Sequence, residues 1–111
     1  MKRAIRFDAV RDIGLALPGV EEGTSYGTPA LKVKGKLFAR LKEDGESLVV
    51  RTTDDERDEL MAAEPDTYYI TDHYLNYPWV LVHLSRVNHD ALRDLLRRAH
   101  QLASSRKKNA R

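Results

Sequence analysis

Cysteine is absent from the 111 residues. That excludes disulfides, thiolate catalysis and cysteine-ligated metal sites, and it fits a reducing compartment such as the cytoplasm. No apolar run approaches the roughly 20 residues a membrane-spanning helix needs, so no membrane partner is expected. The basic start, residues 1–6, has no apolar stretch of the signal-peptide kind. No H-E-x-x-H pair occurs, and His73, His83, His89 and His100 stand apart from one another. The hydroxyl- and glycine-rich residues 20–29 lack the spacing of a phosphate-binding P-loop. The acidic run that begins at Asp54 lacks the interior glycine and terminal glutamate of a calcium loop. No repeat is present, and nothing in the sequence asks for a cofactor or a metal.

What is present is a meander. Residues 30–52, ALKVKGKLFARLKEDGESLVVRT, read as three short strands joined by two tight turns. Leu31 and Val33 alternate with Lys32 and Lys34, the period of a half-buried strand. Lys34-Gly35 supplies a two-residue hairpin turn, because glycine takes the positive φ that such turns need. Leu37, Ala39 and Leu41 alternate with Phe38 and Arg40. Glu43-Asp44-Gly45 makes the second turn, and Leu48 and Val50 alternate with Val49 and Arg51. Strict alternation places Lys32, Lys34, Lys36 and Arg40 on one face. That row is either a solvated face with edge lysines that discourage pairing or a surface for phosphates.

Around the meander the periodicity predicts three helices. The first spans about residues 6–17, with Phe7, Val10, Ile13 or Gly14, and Leu17 at helical spacing. Pro18-Gly19 stops it, and Gly14 leaves room for close packing on a sheet. Residues 20–29 read as a loop or irregular strand. Thr53 followed by Glu56 forms a capping box for the second helix, whose first turns carry five acidic residues suited to a helix N-terminus. Residues 67–70 are strand-like, and residues 71–78 form an aromatic loop. Residues 79–84, apolar on both faces, read as a central strand. Asn88 caps a final helix to about residue 103. Its stripe is Ala91, Leu92, Leu95, Leu96, Ala99 and Leu102, with Arg93, Arg97, Arg98 and His100 mostly off it. The resulting expectation is one α+β domain over residues 6–103. It has an antiparallel sheet of about five strands packed by three helices, in the order α-β-β-β-α-β-β-α. A short extension, residues 1–5, precedes it, and a basic, disordered tail, residues 104–111, follows.

The net charge of +2 conceals segregation: residues 42–66 carry three basic and ten acidic side chains, while residues 86–111 carry eight basic and two acidic. A bipolar molecule orients towards a polyanion even when its total charge is small. The aromatics are concentrated too. Tyr68, Tyr69, Tyr74, Tyr77 and Trp79 fall within twelve residues of a chain with five tyrosines, two phenylalanines and one tryptophan. Two readings stay open: packing with hydroxyls reaching water, or a stacking surface or pocket for a ligand. Tyr26 and His73 are candidates to join the second, His73 also as an acid or base.

The order of these pieces resembles the MmcQ/YjbR family of small bacterial proteins. The likeness rests on Leu17-Pro18-Gly19-Val20, Ser25-Tyr26-Gly27, the hairpin Val33-Lys34-Gly35-Lys36-Leu37-Phe38-Ala39 and the block from Tyr74 to Leu84 that contains Trp79. It implies a frataxin-like, double-wing α+β fold, without iron binding, and a DNA-binding protein with no established reaction. On that likeness the positions carried over are the hairpin Lys34-Gly35-Lys36 and the Trp79 block. From the charge pattern, the expected DNA contacts are Lys32, Lys34, Lys36 and Arg40 of the hairpin face, with Arg97 and Arg98 of the last helix. The other expectation is a module that binds a small molecule or a protein through Tyr26, His73, Tyr74, Tyr77 and Trp79. A monomer is the default.

Overall fold

The computed structural model describes residues 5–105. Helix α1 (Phe7–Leu15) is followed by four strands in succession, β1 (Val20–Ser25), β2 (Thr28–Val33), β3 (Lys36–Leu41) and β4 (Ser47–Arg51). Helix α2 (Asp54–Ala63), strand β5 (Tyr68–Tyr69), a single 3₁₀ turn (Asp72–Tyr74), strand β6 (Trp79–His83) and helix α3 (His89–Ser104) complete the fold. All pairings are antiparallel, in the spatial order β1-β2-β3-β4-β6-β5. The fold class is as the sequence predicts, and β6 is an interior strand. The basic tail from Arg106 onward and residues 1–4 of the extension lie outside the described residues.

Two differences matter. The sheet has six strands, because residues 20–25, read as a loop or irregular strand, form a full and regularly paired strand. Its sequence, VEEGTS, hides the strand. It lies at the sheet edge, where charged side chains are the ordinary defence against further pairing. Tyr26 and Gly27 then turn the chain, both at positive φ, as a two-residue hairpin requires. The second difference is a β-bulge in β3. Leu31 pairs with Ala39, yet Lys32 pairs with Leu37, so Phe38 is the extra residue. The bulge breaks the expected alternation. Phe38 and Ala39 both belong to the core cluster on the helix side, while Leu37 and Arg40 share the opposite face. Lys36, opposite Val33, therefore no longer shares a face with Arg40.

Helices α1 and α3 cover one face of the sheet. Leu31, Val33, Phe38, Leu48, Val50, Val80 and Val82 pack there against Val10, Leu92, Leu95, Leu96 and Ala99. Burial at about 25 cal/mol per Å² makes this face the main source of stability. His100 is part of it rather than off the stripe: its ring meets the edge of Phe38 at 5.8 Å, and Nε2 donates to the Pro18 carbonyl at 2.7 Å. That bond fixes the tautomer with the proton on Nε2, since a carbonyl can only accept.

The caps are as read. Thr53 Oγ1 accepts from the Glu56 amide at 3.1 Å, and Asn88 Oδ1 accepts from the Ala91 amide at 2.8 Å. The Glu56 carboxylate does not complete the capping box. It accepts from Thr52 Oγ1 at 2.8 Å and from Arg98 at 2.7 Å, which ties α2 to α3.

Gly14 faces fully buried Leu31, and a Cβ there would overlap Leu31 Cδ1. Gly14→Ala gains up to about 1 kcal/mol of helix propensity but forces a packed leucine to move. The expected net effect is a loss of about 1–3 kcal/mol, read as a lower urea midpoint with an unchanged slope.

Candidate ligand pocket on the open face of the sheet

The other face of the sheet carries no helix. Residues 71–78 fold back over it, and the β1–β2 turn rises beside them. Between these two lies a cavity of about 320 Å³, within the range of small-molecule sites. Its floor is Leu37, Arg40 and Val49, and its walls are Tyr26, His73, Tyr74, Tyr77 and Trp79. All five residues singled out as a stacking or pocket group therefore meet around one space, although Tyr26 and Trp79 are more than fifty positions apart in the chain.

One side chain sets the position of residues 71–78. Arg57 projects from α2 and is only 7% exposed. Its Nη1 donates to the carbonyls of Tyr74 at 3.1 Å and Tyr77 at 2.8 Å, and its Nη2 donates to that of Leu75 at 3.4 Å. Asp54 lies 3.7 Å away as its counter-ion. A guanidinium suits this task because its rigid fork presents several donors at once. The Thr52 amide adds a bond to the Pro78 carbonyl at 2.8 Å. Nothing in the spacing of the sequence singled out Arg57. Its one signal is that it is a lone cation inside the acidic start of α2, where a helix N-terminus disfavours positive charge.

Tyr74 joins this clamp to the pocket. Its carbonyl accepts from Arg57, and its hydroxyl accepts from Arg40 Nη2 at 2.8 Å. Arg40 is only 5% exposed. Its other contacts are looser: Nη1 reaches Thr28 Oγ1 at 3.5 Å, the Leu41 carbonyl at 3.3 Å and the Glu43 carboxylate at 3.4 Å. The Tyr26 ring lies 5.0 Å from the Arg40 guanidinium carbon, within cation–π range. Tyr26 itself is 80% exposed and sits at a φ of 55°. The two-residue turn accounts for this conformation, which Lys34 repeats at 54° in the next hairpin.

A second arginine supports the opposite wall. Arg51 stacks over Trp79 at 4.8 Å, and its Nε donates to the Leu37 carbonyl at 3.2 Å. Burial lowers its pKa from the usual arginine value; the group remains charged at any working pH. His73 is exposed and meets the Tyr74 ring edge-on at 4.8 Å. It also lines a neighbouring cavity with Lys42, Glu43 and Thr71.

The six cations expected to contact DNA do not form one surface. Arg40 is buried in the pocket floor. Lys34 donates to the Ser104 carbonyl at 3.3 Å, a favourable contact at the end of α3. Arg98 bonds Glu56 at 2.7 Å and Asp94 at 3.2 Å, and Arg97 lies 3.8 Å from Asp94. Lys32 and Lys36 make no ion pair among the described residues. Among the described residues no helix is long and apolar enough to cross a membrane, and no group of three or more His, Asp or Glu could hold a metal ion.

Comparison with known proteins adds a family and a fold relative. The family model described as YjbR matches residues 15–102. The crystal structure of Deinococcus radiodurans protein DR2400, which carries the family-model domain DUF419, superposes with a TM-score of 0.75 at 25% identity. The match covers 87% of this chain and 77% of that one. No curated protein matches the sequence.

Arg57→Met removes the donors to three carbonyls while keeping much of the side-chain volume. The expected cost is about 2–3 kcal/mol, with faster amide exchange at Leu75 and Tyr77 than at the strand amides of β4 and β6. Uniform exchange across both regions would mean that Arg57 does not hold the loop.

Proposed function

This chain belongs to the YjbR family, and from that premise we propose that it is a non-enzymatic binding protein. Its ligand is a small molecule with a flat aromatic ring, held in the cavity over the open face of the sheet. The observation that carries this reading is the convergence of four aromatic side chains, Tyr26, Tyr74, Tyr77 and Trp79, with His73 on one concave site of ligand size. Two of these rings expose stacking surface: Tyr26, and Tyr77 at 57% exposure. Exposed large aromatics beside a pocket are costly in solution and useful in binding.

DNA is the second reading, and one observation favours it. Lys32, Lys34 and Lys36 make no ion pair among the described residues, so three cations at and beside the β2–β3 turn are left for phosphates. Of the other expected contacts, Arg40 is buried in the pocket floor, and Arg97 and Arg98 stand beside Asp94 or Glu56.

The test separates the two readings. In a nuclear magnetic resonance screen of the labelled protein, flat aromatic fragments are expected to shift Leu37, Val49, Tyr74 and the single indole N–H of Trp79. Aliphatic fragments of equal size leave them in place. Tyr77→Ala is expected to weaken the best fragment by about 5- to 150-fold, from the roughly 1–3 kcal/mol of one stacking contact, whereas Lys36→Glu leaves it unchanged. If duplex DNA shifts the resonances of β2 and β3 and aromatic fragments shift nothing, the pocket reading is wrong.

A further inference from the structure

The pocket continues into a second compartment that adds charged groups, and the group between them is a buried cation whose carboxylate partner is 3.4 Å away. A cavity of about 330 Å³ shares Tyr26, Arg40, His73 and Tyr74 with the first and adds Lys42, Glu43 and Thr71. One compartment is aromatic and the other carries two cations against one carboxylate. Arg40 lies on the wall common to both.

The bonding of Arg40 is lopsided. Nη2 makes one short bond, to the Tyr74 hydroxyl. The three contacts of Nη1 fall between 3.3 and 3.5 Å, beyond the 2.7–3.2 Å of a well-made N–H···O bond. Its one carboxylate partner among the described residues, Glu43, is 59% exposed. Buried charges are ordinarily paired at close range, because desolvation is costly. Here the pairing is loose, and the partner stands on the Glu43-Asp44-Gly45 turn with its side chain largely in solvent. The Glu43 carboxyl is held below the usual range, first by a hydrogen bond from its own backbone amide and then by the charges of Arg40 and Lys42, against the opposing effect of burial. It is therefore an anion at neutral pH.

We infer that Arg40 is the anion receptor of this pocket and that the ligand is an aromatic anion. Its ring lies among Tyr74, Tyr77 and Trp79, and its carboxylate or phosphate displaces Glu43 from Arg40 Nη1. This inference rests on the pocket reading above and adds the charge of the ligand to it. Glu43 acts as a weak internal stand-in for the ligand's anionic group, keeping Arg40 compensated while the site is empty. Lys42 provides a second cation for the same group, at the rim.

The experiment uses two matched pairs of probes, 4-hydroxybenzoate with 4-hydroxybenzamide, and thymidine 5′-monophosphate with thymidine. Affinity is read from the Trp79 indole resonance and confirmed by calorimetry. The charged member of at least one pair is expected to bind about tenfold or more tightly than its neutral partner. The pair that shows this tells a carboxylate ligand from a phosphate one. Arg40→Met also removes the partner of Tyr74 and disturbs the pocket, so the informative variant is Glu43→Gln on the surface. It is expected to raise the preference for the charged probe by up to about fivefold, the range of an exposed ion pair removed from competition. Equal binding of charged and neutral probes, with no change in Glu43→Gln, overturns the inference while the pocket reading stands. No shift at Trp79 with any of the four overturns both.

Discussion

The arrangement of the open face depends on Arg57 and the three carbonyls it holds. An antiparallel sheet can leave one face to water, and here part of that face is covered by an eight-residue loop with almost no regular structure. Such a loop keeps its shape only if its backbone acceptors find donors. Arg57 supplies them to Tyr74, Leu75 and Tyr77 from a different element, at 2.8–3.4 Å. Tyr74 then passes the constraint on, because its hydroxyl meets Arg40 on β3. From Arg57 through Tyr74 and Arg40 to Tyr26, four side chains link α2, the covering loop, the sheet and the β1–β2 turn. The cavity is the space this chain of contacts encloses.

The bulge at Phe38 is the second determinant. Without it, Arg40 would point to the same face as Phe38 and into the helix-covered core, where a guanidinium would need a full set of buried partners. With it, Phe38 packs on His100 and Arg40 reaches the open face. One inserted residue thus serves both faces, filling the core and placing a cation under the aromatic pocket. Bulges next to binding sites commonly re-aim a side chain in this way.

Much of this was legible from residues alone. The meander, its two turns, the caps at Thr53 and Asn88, the interior strand at Trp79 and the aromatic cluster all follow from local chemistry that the structure repeats. The family likeness led to the same fold. What was not legible depends on contacts across the chain. Strand β1 reads as no more than a loop or irregular strand because an edge strand rich in glutamate, glycine and hydroxyls lacks the apolar period. The bulge is invisible because L-F-A-R alternates equally well with or without it. The row of lysines and Arg40 was inferred from that alternation and separated for the same reason. Arg57 was hidden among acids, and only the carbonyls of a segment twenty residues away explain why a cation stands there.

The account therefore turns on whether the Arg57 clamp makes the ligand site. The direct measurement is the binding of an aromatic fragment to the folded Arg57→Met protein, followed at the Trp79 indole resonance beside the wild type. The account predicts a sheet that keeps its strand resonances and an affinity at least about tenfold weaker, because the walls formed by Tyr74 and Tyr77 lose their support. Unchanged affinity in a protein whose residues 74–77 have become mobile would contradict it.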